Sequence, residues 1–241
     1  MDDKTNPTIQ DVIKTYNLLV KGIDAEARVA DLSRAYGGMV RSGKGELVED
    51  ITQKIVRIAW RNLGGDQERI SFEKGTIKVP IKRDYIDKLE DEEVRQYILD
   101  NINKYTYQLK TDVRVCIDKK FVIGIECKAY TENAMMKRIM VDFMFLKGAH
   151  PNVQAVLLQL ESQLGGDYSN IFQEVTMGSR PTHTIMSYFD VNLLIITLIE
   201  GDRKVDQPIH KKETFKGLKE QSIIKAVQTF EDLLRQHIKQ H

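Results

Sequence analysis

The chain has 241 residues, and its 36 Lys and Arg against 35 Asp and Glu leave a formal charge of +1. With 41% hydrophobic and 29% charged residues it has the balance of an ordinary globular protein, long enough for one domain or two. No apolar run approaches the roughly 18 residues of a membrane span, and the opening MDDKTNPT lacks the apolar core of a secretory signal. Two cysteines and five scattered histidines offer neither a disulfide framework nor zinc-ligand spacing. A cytoplasmic protein with reduced thiols and no membrane partner is expected. The near-zero net charge neither favours nor excludes a nucleic-acid partner.

In chain order, Ile9, Val12, Ile13, Tyr16, Leu19 and Val20 recur at helical spacing and predict a helix over 8–23. A second helix is expected over 24–36, stopped by Gly37-Gly38. Arg41–Gly45 reads as a basic loop without the phosphate-loop pattern. Leu47, Ile51, Ile55 and Ile58 mark the buried stripe of a strong helix over 45–62, closed by Gly64-Gly65. RISFEKG and TIKVPI alternate around Gly75 and predict a hairpin over 67–81. Residues 84–104 read as mostly helical.

The stretch TDVRVCIDKKFVIGIECK, 111–128, holds two apolar, β-branched runs separated by Asp118-Lys119-Lys120, which predicts a hairpin with its loop near 119–120. That pairing places Asp112 opposite Glu126-Cys127-Lys128, and strand alternation puts Glu126 and Lys128 on one face. Two carboxylates and a lysine thus converge among core-forming residues. Buried carboxylates need a cation beside them, and a hard divalent ion with oxygen ligands is one candidate. A surface salt bridge at the strand end, Glu126 with Lys128 or Lys110, is the alternative, against which stand the apolar run FVIGI before the acid and Asp112 one hairpin earlier. After a turn, a helix is expected over 134–147, with Met135, Ile139, Met140, Phe143 and Leu146 as core, then an apolar strand over 152–160. Residues 165–188 form the longest irregular stretch, a strand is expected over 191–200, and a long amphipathic helix over 213–240.

Asp112, thirteen intervening residues and then Glu126-Cys127-Lys128 resembles the PD-(D/E)xK nuclease superfamily, whose best populated branch is the type II restriction endonucleases; Thr111 stands where the proline would be. The order strand, strand, helix, strand after an N-terminal helix matches that superfamily's core. The resemblance implies an α/β fold with a restriction-endonuclease-like mixed β-sheet flanked by helices, in a single nuclease domain with its catalytic core at about 105–165. It implies Mg²⁺-dependent, sequence-specific hydrolysis of double-stranded DNA by a homodimer, leaving 5′-phosphate ends. Asp112 and Glu126 would bind Mg²⁺ with the Cys127 carbonyl, and Lys128 would position the attacking water. An early helix often adds one acid, for which Glu49 fits best; Glu46, or neither, remain alternatives. Tyr130 and Asn133 would face the DNA backbone, although Thr131 or Asn133 would serve equally as a helix cap. Ser179, Arg180, Thr182 and His183 in one loop, and Arg203, Lys204, Gln207 and His210 in the other at 200–217, are donors suited to phosphates and base edges. His183 is also a candidate general base beside Asp112 or Glu126. A repair or mobile-element nuclease of the same fold, and a non-catalytic nucleic-acid-binding protein, are the rival readings.

Overall fold

The computed structural model describes residues 6–29, 33–165, 179–204, 206–207, 209 and 212–238; the side chains at 19, 21–29, 33–44 and 212 fall outside that description. Its centre is a sheet of five strands in the order β1-β4-β5-β6-β7. These are β1 (Ile70–Glu73), β4 (Val113–Ile117), β5 (Lys120–Glu132), β6 (Gln154–Gln163) and β7 (Leu193–Thr197). β1/β4 and β4/β5 are antiparallel, while β5/β6 and β6/β7 are parallel, so the sheet is mixed, as expected.

Period-two alternation divides the strands between two cores. Val113, Val115, Ile123, Ile125, Cys127, Val156, Leu158 and Leu160 face one cluster. It also contains residues of α1 (Ile9–Val29), α2 (Ser33–Asn62) and α7 (Glu220–Leu234). Ala155, Leu157, Leu193 and Ile195 join the other cluster with Met136, Ile139, Met140, Phe143 and Leu146 of α5 (Asn133–Ala149). Gly124 lets α5 approach closely: a Cβ there would lie 2.7 Å from Leu146 Cδ2. A separate two-stranded sheet pairs β2 (Thr76–Pro80) with β3 (Thr106–Lys110). α6 (Arg180–Ser187) packs against α5. No helix among the described residues is long and apolar enough to cross a membrane.

Several expected boundaries move. α2 continues through Gly37-Gly38 and Arg41–Gly45, because a helical glycine costs only about 1 kcal/mol and the 47–60 segment is anchored by Leu47, Ile51, Ile55 and Trp60, all buried. RISFEKG and TIKVPI do not form a hairpin with each other. β1 pairs with β4 and β2 with β3, so Gly75 at φ 129° connects two sheets. The 84–104 stretch breaks into α3 (Arg83–Asp87), α4 (Glu92–Asp100) and a short 3-10 turn at Ile102–Lys104; Asp91 caps α4 by accepting from Val94 N at 3.0 Å. The irregular 165–188 stretch ends in helix α6, capped by Ser179; residues 166–178 lie outside the described residues. The C-terminal helix begins only at Glu220, since Phe215 is taken up by its ring contact with Tyr16, centroids 6.1 Å apart.

The central hairpin forms as read, with its turn one residue earlier. Asp118 and Lys119, at φ 50° and 64°, make the two-residue connection in the left-handed region, whose twist matches the right-handed twist of paired strands.

Candidate active site

Asp112 sits where the chain leaves β3 for β4. The β4–β5 register puts Val113 opposite Ile125, which brings Asp112 to the Glu126–Lys128 segment across the ladder. Its Oδ2 accepts from Cys127 N at 2.8 Å and from Lys128 Nζ at 3.0 Å. Lys128 Nζ also donates to Glu126 Oε1 at 2.5 Å and to the Cys127 carbonyl at 3.2 Å. Two carboxylates and a carbonyl therefore share one ammonium. This is no exposed strand-end bridge: the side chains of Glu126, Lys128 and Asp112 are 15%, 27% and 31% exposed.

Three charges so placed disturb one another. Burial pushes the Glu126 carboxyl up; the Lys128 ammonium pulls it back only in part, and the Asp112 and Asp142 charges add to the rise. Burial alone would lower Lys128, but the charges of Glu126 and Asp112 overrule it and hold the ammonium above its ordinary value. Lys128 is thus a proton-bearing donor at neutral pH.

Cys127 turns its side chain the other way, into the core under α2, where Sγ lies 3.3 Å from Thr52 Oγ1. Glu49, one turn before Thr52, is 25% exposed and lies 3.4 Å from Lys74 Nζ. Its charge, with those of Asp112 and Glu126, reinforces the burial that pushes the Cys127 thiol up. Glu46 is exposed.

Asp142 was not foreseen. On α5 it is 25% exposed and 3.8 Å from Arg138. Burial raises it, while Arg138 and then Lys128 pull it back, which places it within electrostatic reach of the lysine. The clue lay in the sequence: Arg138 and Asp142 form an i,i+4 polar pair on the helix directly after the ExK strand.

The other expected residues fall into two groups at the far end of β5. Asn133 opens α5, and its Oδ1 accepts from Thr182 Oγ1 at 2.6 Å. Thr182, fully buried, also has its Oγ1 2.9 Å from the Leu164 carbonyl, while Ser179 Oγ accepts from Thr182 N at 3.2 Å. These hydroxyls tie α6 to α5 and to the end of β6. Glu132, not Thr131 or Asn133, holds the α5 cap position, without a side-chain bond. Arg180 is exposed. Among the described residues His183 Nε2 is enclosed without a partner, and His183 is bonded to neither Asp112 nor Glu126. In the second group the Arg203 guanidinium lies 3.9 Å above the Tyr130 ring, bonds Gln163 and stands 3.9 Å from Glu161. Lys204 and Gln207 are exposed; His210 lies outside the described residues.

Among the described residues, no three His, Cys, Asp or Glu side chains gather as a ready metal cluster. The donor set is instead two carboxylates and one backbone carbonyl, gathered now around an ammonium. No family-level sequence model matches the chain. It is 49% identical over 231 residues to the type II restriction enzyme DdeI of Desulfomicrobium norvegicum, an alignment spanning 94% of this chain and 96% of that protein. Identity at that level over nearly the whole of both chains, with one acid–acid–lysine centre on a mixed sheet, places this protein in the family of type II restriction endonucleases.

Proposed function

We propose that the chain hydrolyses phosphodiester bonds of double-stranded DNA at a specific sequence, through a PD-(D/E)xK active site that uses Mg²⁺. The observation that carries this reading is the meeting of Asp112, Glu126 and Cys127 O on Lys128 Nζ. Hard divalent ions take oxygen ligands and retain waters, and the donor set fits: three oxygens already surround one positive charge. Asp112, Glu126 and the Cys127 carbonyl would hold the ion; Glu49, the further acid expected from α2, pairs with Lys74 instead and is not gathered with them among the described residues. When bound, such an ion supplies Lewis-acid stabilisation of the charge developing on the phosphate.

The chain's own groups would do the rest. Lys128, whose ammonium the Glu126 and Asp112 charges hold above its ordinary value in the metal-free site, would donate hydrogen bonds that orient the attacking water and steady the phosphoryl oxygens for in-line displacement. The water oxygen bonds to phosphorus as the P–O3′ bond breaks; the water gives up a proton to bulk solvent and the leaving O3′ takes one from it, giving 5′-phosphate and 3′-hydroxyl ends. Tyr130 and Arg203, stacked at the end of β5, and the exposed Arg180, Lys204 and Gln207 supply contacts to phosphates and bases. The 49% identity to a restriction enzyme favours sequence-specific cutting over repair or mobile-element roles on the same fold.

The test is incubation of the purified protein with bacteriophage DNA, with and without Mg²⁺. Discrete bands are expected only with Mg²⁺. They should vanish in Asp112→Ala, and Lys128→Ala should cut at least about 100-fold more slowly while still shifting DNA in Ca²⁺. Bands that persist in both variants would move the catalytic centre elsewhere.

A further inference from the structure

β6 reads Ala155-Val156-Leu157-Leu158-Gln159-Leu160, every residue buried. Gln159 is the polar interruption, fully buried. Its Nε2 donates to Thr197 Oγ1 on β7 at 2.9 Å, whereas its Oε1 is enclosed with no partner among the described residues. A buried carbonyl oxygen left unpaired is costly. Gln159 therefore calls for an explanation beyond packing.

Its position in the sheet supplies one. The parallel ladder sets Gln159 directly opposite Lys128, and opposite Thr197 on the other side. Register partners project from the same face. With its nitrogen bonded to Thr197 on β7, the oxygen is the unpaired end of the carboxamide, and Lys128 is its register neighbour on the opposite side. Lys128 meanwhile spends its donors on Asp112, Glu126 and the Cys127 carbonyl, the same oxygens proposed to hold the ion. An ammonium has three donors and no acceptor of its own. Once its present acceptors are engaged elsewhere, it needs another on its own face of the sheet.

We propose that Gln159 is a positioning residue, whose Oε1 receives the Lys128 ammonium when a divalent cation takes over Asp112 and Glu126. It rests on the reading of Lys128 as the catalytic lysine. Held there by one hydrogen bond, Nζ keeps its other two N–H groups for water and phosphate. Gln159 touches neither substrate nor cation, so its effect travels through Lys128 alone.

A double-mutant cycle read by calorimetric titration of Mn²⁺ into the DNA-free protein tests this without recourse to cleavage. Gln159→Leu is expected to weaken Mn²⁺ binding roughly tenfold, the worth of one hydrogen bond to a charged group. In the Lys128→Ala background the same change should have no effect. Single-turnover cleavage by Gln159→Leu should slow by about tenfold or more at unchanged DNA affinity in Ca²⁺, and Gln159→Glu, which keeps an acceptor, should recover much of the rate. Gln159→Met serves if the leucine variant does not fold. Equal weakening in both backgrounds, or none in either, would overturn the role of Gln159. Wild-type cleavage by Lys128→Ala would overturn the reading of the site instead.

Discussion

Lys128 is one cation serving two carboxylates, and that imbalance has consequences at the level of single residues. Glu126, 15% exposed, is pushed above its ordinary value by burial and by the neighbouring acids. A carboxyl raised on folding favours the folded state at pH below its unfolded pKa, and that contribution is lost as pH rises through the folded value. At neutral pH the ionised Glu126 is a net cost to the metal-free protein. Glu126→Gln leaves Lys128 paired with Asp112 and should raise the melting temperature by about 2–4 °C, the effect of roughly 1 kcal/mol in a chain of this size. Cleavage should be abolished in the same variant. Differential scanning calorimetry across pH 4–8 checks the sign: the gain should shrink toward acid, and a loss of stability at pH 7 would refute the imbalance. The thiols give an independent check on burial. Cys116 is pushed up to about 11 by burial and the Glu73 charge, and Cys127 is pushed well up by burial. Neither should react with iodoacetamide at pH 8 in the native protein, whereas both should react in guanidinium. Rapid native labelling would mean that the sheet opens locally.

Among the elements, those read correctly from sequence are those whose signals are local. Alternation in VRVCI and FVIGIEC identifies β4 and β5, and their short connection can only be a hairpin. The acid–acid–lysine geometry follows from that register. β1 and β2 carry equally clear alternation, but nothing local says that β1 will seek β4 and β2 will seek β3; partner choice is decided by long-range packing. Helix α6 was legible, since Ser179 at the cap and Pro181 in the first turn are start signals, but its eight residues hide in a polar stretch. Asp142 and Gln159 escaped because each acquires its meaning from a neighbour on another element. The β4–β5 turn offers an element-level test. Lys119 occupies the left-handed region at φ 64°, a conformation that costs a non-glycine residue about 1 kcal/mol. Asp118 must stay, because its carboxylate receives Arg69 Nε and Nη2 at 2.9 and 2.8 Å. Lys119→Gly converts the turn to Asp-Gly, the preferred pair for this connection. It should raise stability to urea by about 0.5–1 kcal/mol and leave the cleavage rate alone, since the turn lies at the end of the hairpin opposite Asp112. A fall in stability would mean that Lys119 holds a contact worth more than its strain.

For the molecule as a whole, the central arithmetic is that of active sites and strands. One Asp112–Glu126–Lys128 centre is present among the described residues, and it stands on one sheet. In-line attack needs a defined approach to each phosphate, and the two strands of a duplex run in opposite directions. A single centre can meet the second strand only by releasing the DNA and rebinding the other way round. A two-fold pair of chains meets both at once, and the symmetry of the pair then matches a palindromic or nearly palindromic site. The net charge of +1 suits such an arrangement, because two copies can approach without strong mutual repulsion. The protein is therefore expected to sediment at twice its 27.8 kDa chain mass, at least when bound to its site in Ca²⁺. On a supercoiled plasmid with a single site, linear product should then appear without an accumulating nicked circle when enzyme exceeds DNA. Mixing wild type with Asp112→Ala sharpens the test: mixed pairs hold one working centre, so nicked circles should rise to a maximum at intermediate ratios. A monomeric nuclease would instead pass through nicked circles at every enzyme concentration, and the inactive variant would dilute its rate without changing its products.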